Sequence, residues 1–236
     1  LMPFDEDIVN HLTEASEKLG IDFIFNAQVT EVEKLQKNHR VIFQKDGKEG
    51  SVKARAVFNT AGRIPSIDEL NLDKGNVASE KGGVSVNEFL QNTTNPSVYA
   101  CGDASASGSL PLTPVSSQEA RVVSKNIRKN NVLKMDFPPV PSEVFTLPQV
   151  AAIGLTEKEA KKQGYNIVVE YKSVPSWFNA KRINEETYAY KTIVDKERNL
   201  ILGAHIIAPH AGEMINLFVL AMCGKLKCED LKALIF

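Results

Sequence analysis

Cysteine is scarce in this chain, with three among 236 residues. So few thiols, and an odd number of them, do not form a disulfide framework in a chain of this length. An excess of one charge is also missing, because 28 lysine and arginine residues oppose 29 aspartate and glutamate residues and the formal net charge is -1. That balance provides neither a basic surface for nucleic acid nor an acidic solvating tail. We therefore expect small molecules or proteins as partners and no nucleic acid.

Long hydrophobic runs are absent as well. No apolar stretch approaches the roughly 18 residues that span a bilayer, and the opening Leu-Met-Pro-Phe-Asp-Glu lacks the basic and apolar regions of a signal peptide. These features predict a cytoplasmic protein without membrane attachment. The hydrophobic fraction of 43% and the charged fraction of 24% are typical of a folded globular protein. A first residue that is leucine and an apolar final stretch, Leu234 to Phe236, predict an internal fragment of a longer protein.

The N-terminal quarter predicts one helix and then an antiparallel meander. Apolar residues at helical spacing run from Asp5 to Leu19, and Gly20 is placed to end that helix. The hairpin signal Asp46-Gly47 follows, flanked by short apolar segments. Strands are predicted at 21–25, 29–32, 41–43, from 51 onward, and at 57–62.

Two segments in the middle of the chain give the strongest signal for a ligand site. An apolar strand predicted from Val98 to Gly102 ends at Asp103, so that one carboxylate stands beside a glycine that a ligand can approach. Further along, Thr113-Pro114 predicts a helix start, with Thr113 as the cap and Pro114 as the first helical residue. The unpaired N–H groups of such a start carry partial positive charge. Taken alone, a Gly-Asp pair is more often an ordinary turn or a helix cap than a ligand site.

The C-terminal part predicts a separate α+β domain. The helix from Pro114 to about Asn130 is predicted to pack through Ala120, Val123 and Ile127. Prolines in 137–141 then mark a boundary. Beyond it we predict strands at 143–146, 151–155, 167–171, 188–194 and 200–207, a helix opened by the capping box Thr156/Glu159, and an antiparallel pairing of the last two strands. The final helix, 211–222, is apolar on almost every side, which predicts burial with a second subunit as its cover.

Together these segments resemble the pyridine nucleotide-disulfide oxidoreductases, the family of glutathione reductase, dihydrolipoyl dehydrogenase and mercuric reductase. The pair Gly102-Asp103 and Leu112-Thr113-Pro114 is similar to the second flavin-binding motif of that family. The segment 59–65 resembles the strand end that closes its nicotinamide domain, although a lone Ala-Gly-Arg is usually a loop. Segments 145–151, 154–157 and 202–205, with Glu213, resemble its interface domain in order. The resemblance covers essentially all of the chain.

The resemblance implies a mixed α/β and α+β fold in three parts. Residues 1–65 would be the C-terminal part of an NAD(P)-binding domain, 66–136 the C-terminal part of an FAD-binding domain, and 137–236 a truncated dimerisation domain that makes a homodimer. The implied cofactors are FAD and NAD(P)H. The implied contacts are the ribityl chain for Asp103 beside Gly102, the flavin ring for Thr113, the reduced nicotinamide cofactor for the backbone of Gly62, and its adenosine for Val29.

The implied function is that of an FAD-dependent NAD(P)H oxidoreductase, which passes electrons from a nicotinamide cofactor through flavin to a disulfide or related acceptor. NADH and NADPH both remain open, as do glutathione, lipoamide and mercuric ion as acceptors. A flavin-free structural or dimerisation module derived from the same family is the alternative. No catalytic residue is named, because the redox disulfide, the glycine-rich loops and the acid-base histidine of relatives would lie outside this chain. The fragment is therefore expected to be inactive alone and to bind flavin poorly.

Two features of the sequence are not expected to carry chemistry. Cys223 and Cys228 have the spacing of the family's redox disulfide, but they follow the interface helix and do not lie in the flavin domain. If that helix continues, residues five apart diverge too far for a disulfide, and buried free thiols are expected. The four histidines are scattered without the spacing of a metal site, so none is predicted.

Overall fold

The computed structural model describes residues 1 and 3–234 of the chain. Contacts divide it into two compact units, one formed by Leu1–Ala27 with Pro138–Phe236 and the other by Gln28–Phe137. Within the described ranges, no helix has both the length and the apolar character needed to cross a membrane.

The described chain is built from short strands and helices. The elements up to the domain boundary are α1 (Glu6–Lys18), β1 (Ala27–Lys34), β2 (His39–Lys45), β3 (Lys48–Ala54), β4 (Ser79–Glu80), β5 (Gly83–Val84) and α2 (Thr113–Lys129). The elements beyond it are β6 (Ser142–Val144), β7 (Gln149–Gly154), α3 (Glu157–Lys162), β8 (Ile167–Ser173), α4 (Phe178–Arg182), β9 (Ala189–Asp195), β10 (Leu200–Ala208), α5 (Ala211–Cys223) and α6 (Cys228–Ala233).

Helix α1 lies where its apolar spacing predicts it. The Asp5 carboxylate caps it by accepting from the Asp7 N–H, which satisfies one of the free donors of the first turn. Ile8 and Leu12 are buried and pack with Ile207 of β10 in one core cluster. The helix ends at Lys18, with Leu19 as its C-cap, so the predicted helix is confirmed.

The hairpin signal is confirmed too. Strands β2 and β3 pair antiparallel, with Lys45 opposite Lys48 across the turn. Asp46 and Gly47 have φ angles of 52° and 74°, the left-handed conformation that a tight two-residue hairpin requires at both positions. Strand β1 completes a three-stranded sheet in the order β1-β2-β3.

Three predicted strands do not form. Residues 21–25 and 57–62 are not in strands, and within the described chain no ladder joins either segment to a neighbour. Phe58 is 85% exposed as a result. The segment 98–102 contributes only a single bridge, from Tyr99 to Gln91. A strand exists through hydrogen bonds to a neighbouring strand, so an apolar pattern without a neighbour stays extended but unpaired.

The second half of the chain builds a five-stranded antiparallel sheet in the order β6-β7-β10-β9-β8. The predicted antiparallel pairing of the last two strands is confirmed, with Leu200 opposite Asp195. The predicted capping box is also present on α3, because Thr156 accepts from the Glu159 N–H at 3.3 Å and Glu159 accepts from the Thr156 N–H at 2.9 Å.

Helix α5 is covered on one side only. Its buried residues Ala211, Ile215 and Ala221 face β7 and β10, where they join the core. Leu217 and Leu220 are 45% and 69% exposed. The single chain therefore leaves one apolar face of α5 open to solvent, and the predicted burial, which requires a second subunit as its cover, stays a prediction.

The two C-terminal cysteines differ from expectation in two respects. The helix does not continue between them, because α5 ends at Cys223, Gly224 is its C-cap, and Lys225 has a φ of 50°. Cys228 begins the separate helix α6. Both thiols are free, but Cys223 is exposed, so its predicted burial is wrong.

Candidate functional site

A cavity of about 380 Å³ opens in the unit formed by Gln28–Phe137. It lies between the turn at Gly102–Ala104 and the start of α2. Charged and hydroxyl side chains form part of its wall, beside apolar ones. Its lining includes Arg63, Lys81, Asp103, Ser107, Pro111 and Glu119. This wall offers both donors and acceptors to a polar ligand.

Gly102 and Asp103 lie in a 3-10 turn over Gly102–Ala104, which directly follows the extended Cys101. Gly102 has a φ of 66°, and a Cβ placed there would lie 3.1 Å from Ser116 Oγ on α2. The glycine therefore serves a left-handed turn that lies close against α2. Asp103, the next residue of the turn, also lines the cavity.

Arg63 holds the Asp103 carboxylate. Its Nη1 donates to Asp103 Oδ2 at 2.8 Å, and its Nη2 donates to the Pro111 carbonyl at 2.7 Å. No described residue donates a hydrogen bond to Asp103 Oδ1, and the Asp103 side chain is 48% exposed. That oxygen remains available as an acceptor for a hydroxyl group in the cavity.

The start of α2 is uncapped. Leu112 is the N-cap and makes no side-chain cap bond, while Thr113 and Pro114 are the first two helical residues. The prediction that Thr113 caps the helix is therefore wrong, because its backbone is already helical. The first backbone bond runs from Ser116 N to Leu112 O, so the N–H groups of Thr113 and Val115 have no partner inside the helix. They form a positive end that favours an electron-rich ligand group.

Glu119 is the site residue that the sequence pattern missed. Its side chain is buried, and its carboxylate accepts hydrogen bonds from the Gly102 N–H and, at 2.7 Å, from Ser107 Oγ. Glu119 thereby connects α2 to the start of the Asp103 turn and to Ser107, which follows that turn. A buried carboxylate with two donors is a fixed part of the site and not a solvated surface group.

The buried face of α2 also differs from the predicted one. The buried residues are Val115, Glu119, Val122 and Asn126, whereas Ala120 and Ile127 are exposed. The spacing of these four residues is helical, but two of them are polar, so an apolar pattern does not reveal the face. The Asn126 side chain replaces apolar packing with hydrogen bonds to Phe89 O and to Leu133.

Cys101 lies next to this turn and is half-buried. Burial raises the pKa of its thiol, and the negative charge of Glu119 raises it further. The thiol therefore stays protonated near neutral pH, which makes it a weak nucleophile.

The structure does not bring all the predicted site residues together. Gly102 and Asp103 line the cavity, and Thr113 lies between the lining residues Pro111 and Ser116. Gly62 precedes Arg63 and has a φ of 127°, with open space where a Cβ would be. Val29 is exposed on β1, in the three-stranded sheet. Gly62 and Val29 are thus accessible, but they do not belong to the described lining of this cavity.

Two family models match the chain in succession. The model described as pyridine nucleotide-disulphide oxidoreductase matches residues 1–120, and the model of the dimerisation domain of the same family matches residues 140–236. The chain belongs to the pyridine nucleotide-disulphide oxidoreductase family. The predicted family and the predicted mixed fold class are confirmed.

Individual relatives differ mainly in length. The chain is 46% identical over 167 residues to an uncharacterized 19.7 kDa protein in the mercuric resistance operon of Staphylococcus aureus, covering 71% of this chain and 93% of that protein. It is 31% identical over 229 residues to a mercuric reductase of Staphylococcus aureus, covering 97% of this chain and 41% of the reductase. The solved Cu(II) complex of a HOCl-induced flavoprotein disulfide reductase from Escherichia coli has a TM-score of 0.87 at 26% identity, covering 100% of this chain and 54% of that chain. This chain therefore spans about half the length, or less, of the two enzymes.

Proposed function

We propose that this chain carries part of the flavin site and part of the nicotinamide site of an FAD-dependent NAD(P)H oxidoreductase. Family membership supports the class of reaction. The observation that carries the proposal is local: the free Oδ1 of Asp103 and the uncapped start of α2 lie at the same cavity. A carboxylate acceptor and a positive helix end are complementary to a polyhydroxyl chain attached to an electron-accepting ring.

The proposed roles follow that complementarity. Asp103, beside Gly102, accepts from ribityl hydroxyls, and Thr113 at the start of α2 contacts the flavin ring. Gly62 presents its backbone to the nicotinamide cofactor, and Val29 contacts the adenosine. When bound, the flavin supplies electron transfer between NAD(P)H and a disulfide or related acceptor. The proposed domains are the NAD(P) part at 1–65, the FAD part at 66–136 and the dimerisation domain at 137–236.

The residues present fit part of a flavin nucleotide. A cavity of about 380 Å³ is at the lower end of the volumes typical of small-molecule sites, ~300–1,000 Å³. The sequence contains no Gly-x-Gly-x-x-Gly loop of the kind that binds a pyrophosphate at a helix start. We therefore propose weak flavin binding by this chain and no oxidoreductase activity of the chain alone.

Homodimer formation is part of the proposal. The dimerisation-domain match covers the sheet β6 to β10 together with α5. The open apolar face of α5, with Leu217 and Leu220, is where a second copy would bury surface. Burial of that face in a dimer gives this helix the cover that a single chain does not provide.

Riboflavin titration of the purified chain tests the flavin site. We expect weak binding that Asp103→Asn lowers about tenfold, because an amide replaces the charged acceptor of the ribityl hydroxyls. Fluorescence quenching measures it, and Asp73→Asn, an exposed acid in the same unit, is the matched control. Equal affinities for all three proteins would contradict the proposed site. Tight stoichiometric retention of FAD by the unchanged chain would contradict weak binding.

A second candidate is a flavin-free dimerisation module. The observation that favours it is the 19.7 kDa relative, 93% of which this chain covers, because that protein is itself far shorter than the reductases. The visible absorption spectrum of the protein purified from its natural host distinguishes the two. A yellow protein with flavin bands supports the oxidoreductase, and a colourless folded dimer supports the module.

The names of the relatives suggest which electron acceptor to test first. Mercury appears in the names of two Staphylococcus aureus relatives, the operon protein and the mercuric reductase. We propose mercuric ion as the first acceptor to assay, ahead of disulfides. NADPH and NADH are compared as donors in the same assay.

A further inference from the structure

We propose that Arg63 is a positioning residue of the flavin site, which locks the Asp103 carboxylate and the start of α2 into a single geometry. This role rests on the proposed flavin function. It concerns a side chain to which neither the family resemblance nor the pattern of the sequence assigns a part.

The guanidinium of Arg63 spans two segments that are distant in sequence. Nη1 donates to Asp103 Oδ2 at 2.8 Å, across 40 positions, and Nη2 donates to Pro111 O at 2.7 Å, across 48 positions. Pro111 immediately precedes Leu112, the N-cap of α2. One planar fork therefore fixes the carboxylate relative to the helix end that proposed ligand contacts also use.

The two carboxylate oxygens of Asp103 differ in their contacts. Arg63 occupies Oδ2 only, and Oδ1 receives no hydrogen bond from the described residues. Holding one oxygen restricts the rotation of the carboxylate, so the other oxygen occupies a more defined position at the cavity. A ligand hydroxyl then meets an acceptor that needs no reorganisation, which is the benefit of a preorganised site.

The fork has little to do with folding stability. The Arg63 and Asp103 side chains are 66% and 48% exposed, and exposed ion pairs contribute little to stability. Its effect on ligand geometry can therefore be separated from its effect on the fold. Lysine at position 63 would supply a single ammonium group in place of the two guanidinium nitrogens. It would therefore keep at most one of the hydrogen bonds to Asp103 Oδ2 and Pro111 O.

The test uses riboflavin and lumiflavin, which share the ring but differ in the ribityl hydroxyls. We expect Arg63→Met to weaken riboflavin binding about tenfold, the size of one lost hydrogen bond to a charged group. The affinity of Arg63→Met for lumiflavin should change less than about twofold. The riboflavin affinity of Arg63→Lys should lie between those of the unchanged chain and of Arg63→Met. Arg55→Met, an exposed arginine in the same unit, is the matched control. Equal losses for both ligands, or no loss for riboflavin, would overturn the positioning role.

A measurement without flavin tests the hydrogen bond from Arg63 Nη2 to Pro111 O. In the free chain, Arg63→Met should speed amide hydrogen exchange at Ser116 and Ser117 at least severalfold, because the segment leading into α2 loses its anchor at Pro111. Exchange at Asn126, near the other end of the helix, should be unchanged. Unchanged exchange at Ser116 would overturn the proposal. Absence of riboflavin binding by the unchanged chain would overturn the proposed function itself, whereas binding that ignores Arg63→Met overturns only the role of Arg63.

Discussion

Lys191 is a buried cation that lies among three carboxylates. Its buried ammonium lies 2.9 Å from Asp5 Oδ1, 2.6 Å from Asp7 Oδ2 and 2.7 Å from Glu157 Oε2. Burial by itself would lower the pKa of Lys191, but the hydrogen bonds to the three carboxylates outweigh burial and raise it above its usual value. The ammonium stays charged at neutral pH and joins the start of α1 to the five-stranded sheet.

Replacing Lys191 by methionine tests this cluster. The change leaves the buried Asp5 carboxylate beside two others without their shared cation, so the free energy of unfolding should fall by about 3–5 kcal/mol. Urea denaturation measures the change. Lys172→Met is the control, because Lys172 is exposed and its loss should have little effect. Similar stabilities for the two variants would show that the buried cluster contributes no more than a surface pair.

His205 predicts a pH dependence of stability. It is buried on β10, with Nε2 3.0 Å from Leu155 O and with Nδ1 lacking any partner among the described residues. Burial lowers the pKa of His205 below its ordinary value near 6.5. The neutral ring is favoured in the folded state, so this stability is fully present above about pH 6.5 and is lost as the pH falls through the folded pKa.

The measurement is the melting temperature between pH 7 and pH 5. We expect His205→Gln, which keeps a donor for the Leu155 carbonyl, to flatten the fall in melting temperature toward acid pH. His11→Gln, a change at a half-buried histidine on α1, is the matched control variant. A slope unaffected by His205→Gln would mean that carboxylates alone produce the acid sensitivity.

At the scale of helices and hairpins, the sequence predicts those elements whose stabilising hydrogen bonds are local. The dipeptide Asp46-Gly47 and the pair Thr156/Glu159 act within a few residues of themselves, and both elements form as predicted. Such signals are complete in the sequence because the bonded groups are near neighbours.

Elements that depend on distant partners could not be predicted in this way. The apolar segment at 21–25 has strand-like composition, but pairing needs a neighbour that the described chain does not supply. The buried face of α2 was not predicted for a related reason. Glu119 and Asn126 are buried with hydrogen bonds to groups outside the helix, and an apolar pattern does not contain that information. Likewise, the pattern around Asp103 indicated the carboxylate but not its contact with Arg63.

At the scale of the whole molecule, the chain spans only part of the length of the enzymes that it resembles. It matches the family from residue 1 to 236 in two stretches, yet it covers 41% of a mercuric reductase. The proposed function is accordingly that of a dimer-forming polypeptide with part of a flavin site.

The most direct test of that central claim is a riboflavin titration of the ¹⁵N-labelled chain followed by NMR. We predict dose-dependent amide shifts at Gly102, Asp103 and Ser116, with the amides of β7 and β10 unchanged. These residues report the carboxylate turn and the helix start at the same time. Shifts confined to other parts of the chain, or none at millimolar riboflavin, would contradict the account.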